Sequence, residues 1–136
     1  MSKWMMLAMV VAFVWLGGVG CGGIERIPTS AMPPGVEYSG LWYSNYGDME
    51  LVQTGEQVKG TFTYRSGGTL MGTLEGGVLR FDWVQEGDLS VGRREVSGKG
   101  YFVMSSDGQK LEGKWGYGYK FSGGGVWTAD RAKVRY

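Results

Sequence analysis

From residue 40 onward the chain alternates apolar and polar residues in short runs, and glycine-bearing turns break those runs every eight to twelve residues or so. Nothing else in the sequence limits the fold as strongly, because an apolar period of two can bury only one face of an extended strand. Val58, Gly60, Phe62 and Tyr64 fall on one side of their run, and Gln57, Lys59, Thr61 and Thr63 on the other. The same division gives Leu70, Gly72 and Leu74, then Leu79, Phe81 and Trp83, then Val96, Gly98, Gly100, Phe102 and Met104, then Leu111, Gly113, Trp115 and Tyr117 as inward sets. The expected strands lie near 40–46, 48–54, 57–64, 69–75, 78–85, 94–104, 110–117 and 124–131. Thr54-Gly55-Glu56, Gly76-Gly77, Ser106-Asp107-Gly108 and similar clusters separate them. The connections are hairpin-short, so neighbours in sequence are expected to pair as antiparallel neighbours.

No ten-residue stretch of this region has a helical period, so no helix is available to cover the apolar face. A flat eight-stranded sheet would expose that face and two edges, and closure removes both problems. The fold class expected is therefore all-β, an antiparallel up-and-down meander of about eight strands closed into a small barrel over residues 40–131. Inward glycines support this, since a small barrel holds large rings only where neighbouring positions are small. Gly55 to Phe62 and Gly108 to Trp115 repeat one pattern of turn glycine, inward aliphatic, inward glycine and inward aromatic. That repeat is read as one hairpin grammar used twice.

The segment ahead of the barrel has a different character. All three prolines, Pro28, Pro33 and Pro34, fall within 22–39 together with Gly22, Gly23 and Gly35, the composition of an extended, flexible tether. Residues 132–136 form a short tail, and the basic end Arg131, Lys133 and Arg135 reads as solvated. Residues 1–20 have a secretory layout, with Lys3, an apolar run from Trp4 to Leu16, and small residues up to Cys21. The run stops at Gly17, short of the roughly 20 apolar residues that a membrane span needs.

Leu16-Gly17-Gly18-Val19-Gly20-Cys21-Gly22 resembles the lipobox of bacterial lipoproteins, although Gly18 stands where that family usually has an aliphatic residue. The resemblance implies a cleaved signal peptide at 1–20 and lipid attachment to Cys21, which is the only cysteine of the chain. Gly22 is not the Asp that retains many such proteins in the inner membrane, so the resemblance further implies an outer-membrane anchor. Gly40-Leu41-Trp42-Tyr43 resembles the Gly-x-Trp opening of avidin and lipocalin barrels, and Gly60-Thr61-Phe62 stands where avidins have Gly-Thr-Tyr. Residue by residue, the biotin site of that family does not carry over. Its hydrogen-bonding asparagine, loop serine, tyrosine and later serine correspond here to Ser44, about Asp48, Phe62 and Tyr64. Biotin binding is not expected.

Charge and residue usage exclude other classes. Lys+Arg 14 against Asp+Glu 13 leaves a net charge of +1, which creates no field for nucleic acid. The chain has no histidine, and with its one thiol assigned to lipid the usual nucleophile–base pairs and zinc sets cannot be assembled. Glu50, Glu75, Asp82 and Glu112 all fall on outward phases. No catalytic residues, metal or cofactor are expected, and the chain is read as a non-enzyme.

Two functions follow from the rings. Trp42, Phe62, Tyr64, Trp83, Trp115 and Trp127 face inward and would line a cavity for a small apolar ligand if the barrel is hollow, or fill it if it is not. Tyr117, Tyr119 and Phe121, interleaved with glycine, are read either as a hairpin end, as a loop over the barrel mouth, or as a patch for an envelope protein partner. The sequence reading favours the second function, a structural or accessory lipoprotein, with the ligand-binding barrel as the alternative.

Overall fold

A computed structural model of the protein describes residues 26–133; the expected signal at 1–20 and Cys21 lie outside them, as do residues 134–136. Eight strands form an antiparallel meander, β1 (Gly40–Ser44), β2 (Gly47–Thr54), β3 (Gln57–Phe62), β4 (Gly68–Glu75), β5 (Val78–Gln85), β6 (Val96–Met104), β7 (Lys110–Tyr117) and β8 (Gly125–Arg131). Each pairs with the next, and β8 returns to β1, so the sheet is a closed barrel. The expected architecture is the observed one.

The turns behave as their residues dictate. Gly55 and Gly76 take φ of 62° and 60° between β2 and β3 and between β4 and β5, the left-handed region that a side chain disfavours. Closure depends on another property of glycine. A Cβ on Gly113 would overlap the carbonyl oxygen of Tyr101 on β6, and one on Gly98 would overlap that of Gly116 on β7. At these inward positions the absent side chain lets the strands coil tightly enough to close.

The seam between β1 and β8 has the shortest register, Trp42 opposite Arg131, Tyr43 opposite Asp130 and Ser44 opposite Ala129. Asn45 lengthens it by acting as an extra peptide: its Nδ2 donates to the Val126 carbonyl at 2.8 Å, and its Oδ1 accepts from Thr128 N at 3.0 Å. Three strand boundaries differ from expectation by two residues, and the starts of β2, β4 and β8 by one. Asn45 and Tyr46 belong to the β1–β2 turn, β3 ends at Phe62, and Arg94-Glu95 precede β6. In the last case Asp88 caps a 3₁₀ turn at Leu89–Val91 and pairs with Arg93, which bends the chain away from the strand.

The barrel interior is the core. Met49, Leu51, Val58, Leu70, Leu79, Phe81, Phe102, Met104 and Leu111 are all buried on the inward phase, each contributing on the order of 1.5–3 kcal/mol through burial. Val96 and Tyr117 share the inward phase yet are exposed. They stand at the terminal residues of β6 and β7, at the open end, where no layer lies above them.

The expectation of a flexible tether fails for residues 30–39. This segment crosses the end of the barrel where the β2–β3, β4–β5 and β6–β7 turns lie, and it closes that end. Tyr38 is 0% exposed, and its hydroxyl donates to the Gly77 carbonyl at 2.6 Å and the Phe102 carbonyl at 3.2 Å. Its backbone N donates to Gln53 Oε1 at 2.9 Å, and Gly77 N donates to the Ser30 carbonyl at 2.7 Å. Burial drives the phenol well above its ordinary pKa. Met32 and Val36 pack on the same core. Pro33 and Pro34, read as part of a spacer, lie within this plug.

Arg131 is likewise no solvated tail. Its Nε donates to the Gly108 carbonyl at 2.9 Å, and its two terminal nitrogens donate to the carbonyls of Ser39 at 2.8 Å and Glu37 at 2.6 Å. The guanidinium lies 4.2 Å from the centre of the Trp42 ring. One cation thus ties plug, β6–β7 turn and seam together, with burial drawing its pKa down and Glu37 opposing that shift.

Candidate functional site: an aromatic mouth

The opposite end of the barrel is not plugged. Inward residues there come from the upper parts of β3, β5, β7 and β8, and they surround a cavity of about 500 Å³. Its deepest ring is Trp127, 3% exposed. Trp127 stands edge-to-face with Phe62 at 5.2 Å, Phe81 at 5.5 Å, Phe102 at 5.4 Å and Tyr46 at 5.4 Å, so one indole joins the packed half to the hollow half.

The walls are held by hydrogen bonds as well as by packing. Trp83 Nε1 donates to the carbonyls of Lys99 at 3.1 Å and Gly116 at 3.2 Å. Trp115 Nε1 donates to the Tyr46 hydroxyl at 3.0 Å. The Trp83 and Trp115 rings meet edge-to-face at 5.4 Å, and Tyr46 meets Tyr64 in the same way at 5.2 Å. Gln85 Nε2 donates to the Tyr64 carbonyl at 2.9 Å and ties β5 to the β3–β4 turn. Fixed rings of this kind present preformed faces and edges to a guest.

The rim is polar and mostly cationic, with Arg65, Arg93, Arg94 and Glu86 lining the mouth beside Val96 and Tyr117. Arg65 has φ of 53°, the one non-glycine residue with positive φ among the described residues. Its guanidinium lies 5.1 Å from the centre of the Tyr64 ring. The left-handed conformation costs a residue with a side chain about 1–2 kcal/mol, and here it accompanies a cation at the opening.

Five of the six rings expected to line a cavity do so: Phe62, Tyr64, Trp83, Trp115 and Trp127. Trp42 does not. It is 0% exposed, its Nε1 donates to the Tyr38 carbonyl at 2.9 Å, and Arg131 covers it, so it belongs to the plugged end. The three residues expected to form one partner patch are divided. Tyr117 lines the mouth, whereas Tyr119, 92% exposed, and Phe121 border a separate shallow depression with Ile27 and Arg80. Phe121 is half-buried, with the Lys99 ammonium 5.5 Å from its ring centre.

Tyr46, Gln85 and the rim arginines were not assigned to a ligand site by sequence reasoning. Arg93-Arg94 beside Glu86 and Asp88 carried a visible charge signal in a long connection. Tyr46 fell at the end of the expected strand 40–46, in phase with Trp42, and the structure places it in the β1–β2 turn. Among the described residues no three carboxylates or thiols come together as a metal group, and no helix is long and apolar enough to cross a membrane. Comparison of the chain with protein-family models, curated protein sequences and solved structures finds no match.

Proposed function

We propose that the barrel is a small-molecule binding module, carried by a lipoprotein anchored through Cys21 to the outer membrane. The observation that carries the binding function is the asymmetry of the barrel. One end is sealed by Tyr38, Trp42 and Arg131, while the other holds a cavity of about 500 Å³ walled by Phe62, Tyr64, Trp83, Trp115 and Trp127. That volume falls in the range of small-molecule sites, roughly 300–1,000 Å³. The anchor reading rests on the lipobox resemblance around Cys21, and no catalytic step is assigned to the protein.

The accessory-protein reading has less support. Its aromatic patch reduces to Tyr119, because Tyr117 turns to the mouth and Phe121 is half-buried near Lys99. A single exposed ring is far short of the 20–30 residues a side of a standard protein interface.

Native mass spectrometry of the protein purified from membranes tests the binding function. A retained small mass is expected in the wild type and absent from Val96→Trp, which fills the mouth from an exposed rim position. A bare protein that also shows no change in tryptophan fluorescence across a panel of small apolar compounds would refute it. A mass retained equally by Val96→Trp would place the ligand elsewhere.

A further inference from the structure

Among the described residues, two buried side-chain polar atoms lack any hydrogen-bond partner, Arg93 Nε and Trp127 Nε1. Both are donors, and both residues line the mouth cavity. The other tryptophans of the barrel do not share this condition, since the indole N–H groups of Trp42, Trp83 and Trp115 all have acceptors. Trp127 is 3% exposed, so its N–H is cut off from bulk water. Buried donors are ordinarily satisfied, and those that are not ask for an explanation.

We propose that the mouth is built for a small organic anion, a flat apolar body between the rings with acceptor oxygens at the guanidiniums of the rim. This rests on the binding function proposed above and gives it a ligand class. The indole N–H can only donate, and so can every nitrogen of a guanidinium. An organic cation would suit an aromatic cage taken alone, but here it would meet Arg65, Arg93 and Arg94 against the single carboxylate of Glu86.

Two further acids stand on the same connection, Asp88 and Glu95, and neither lines the cavity. Asp88 accepts from Ser90 N at 3.1 Å and from Ser90 Oγ at 2.5 Å, bonds that with the charge of Arg93 hold its carboxyl below the usual range. Backbone pairing of Asp88 with Arg93 fixes where the Arg93 side chain starts. A carboxylate matches this rim in both charge and shape, because the planar guanidinium fork presents parallel donors. The rings of the wall, set edge-to-face about the cavity, favour a planar body over a branched one.

Three probes with one ring system separate the terms: 2-naphthoate, its uncharged isostere 2-naphthamide, and the cation 2-naphthylmethylammonium. Each is titrated calorimetrically into the full chain in nanodiscs of zwitterionic lipid, with empty nanodiscs subtracted. The naphthoate is expected to bind at least tenfold tighter than the naphthamide and the ammonium most weakly. In the double variant R93Q/R94Q, at exposed or half-exposed rim positions, the naphthoate should lose far more affinity than the naphthamide, so that the ratio between the two falls toward one. Equal binding of anion and amide by the wild type, or a preference that survives in R93Q/R94Q, overturns the anion inference and leaves the binding function standing. Failure of all three probes to bind overturns both.

Discussion

Replacing Tyr38 tests whether residues 30–39 are part of the fold or a spacer. In Tyr38→Ala a fully buried ring is lost from the sealed end together with the hydroxyl that bonds the Gly77 and Phe102 carbonyls. Truncating a buried aromatic costs about 3–5 kcal/mol. With a urea m-value of about 1.5 kcal/mol per molar for a domain of this size, the midpoint should fall by about 2–3 M. Tyr38→Phe keeps the ring and removes only the one hydroxyl proton that the two carbonyls share, and costs about 1–3 kcal/mol. The two variants should therefore fall in order, with the alanine the more damaging.

The phenol adds a pH signature. Its folded pKa is raised from an ordinary value of 10.0 by burial, so its neutral form is the one that fits the fold. Below pH 10 both folded and unfolded chains hold the proton, and the contribution to stability is fully present. Above pH 10 the unfolded phenol ionises while the folded one does not, and stability is lost as pH climbs toward the folded value. The loss attributable to Tyr38 approaches about 1.4 kcal/mol per pH unit. Urea unfolding of wild type and Tyr38→Phe at pH 8 to 11 isolates it, because Tyr38→Phe lacks this slope while keeping every other tyrosine. A wild-type midpoint in Tyr38→Ala, or identical alkaline slopes in wild type and Tyr38→Phe, would refute the plug.

Gly113→Ala should prevent a stable barrel, since the new Cβ meets the Tyr101 carbonyl on β6, whereas Gly55→Ala, with nothing within 4 Å of the added carbon, should cost only about 1 kcal/mol for its left-handed turn; circular dichroism melts of both variants check the contrast. Cys21→Ser should abolish incorporation of a palmitate analogue and release the protein from membranes, and continued labelling would remove the lipoprotein reading.

Alternation on single strands was enough to read the fold, and it identified Phe62, Tyr64, Trp83, Trp115 and Trp127 as inward rings. It could not rank them by height. A period of two separates inside from outside, but position along the barrel axis is set by register across strands and by the tilt that closure imposes. Trp42 and Trp127 are equally inward in sequence, yet Trp42 lies opposite Arg131 near the plug and Trp127 opposite Gly113, floor to the open mouth. Tyr38 and Arg131 were illegible for another reason. Their roles consist of bonds to the carbonyls of Gly77, Phe102, Gly108, Ser39 and Glu37. Carbonyl acceptors are common to every residue and leave no mark in the sequence.

The division between ends has a physical consequence for how the protein tolerates change. At the sealed end, large side chains and main-chain bonds from the plug are mutually dependent, so loss of one leaves polar groups buried without partners. Toward the mouth, Tyr64 and Trp115 are only partly buried and Tyr117 and the rim arginines are open or half-open. Substitutions of the rim arginines remove little of the packed core, and surface changes of that kind usually alter stability by less than about 0.5 kcal/mol. Ligand preference can therefore shift at Arg65, Arg93 and Arg94 while stability stays with Tyr38, Trp42 and Arg131. Trp127 is the exception, because it contacts Phe81 and Phe102 below and borders the cavity above. It is the position at which binding and folding should be measurably coupled.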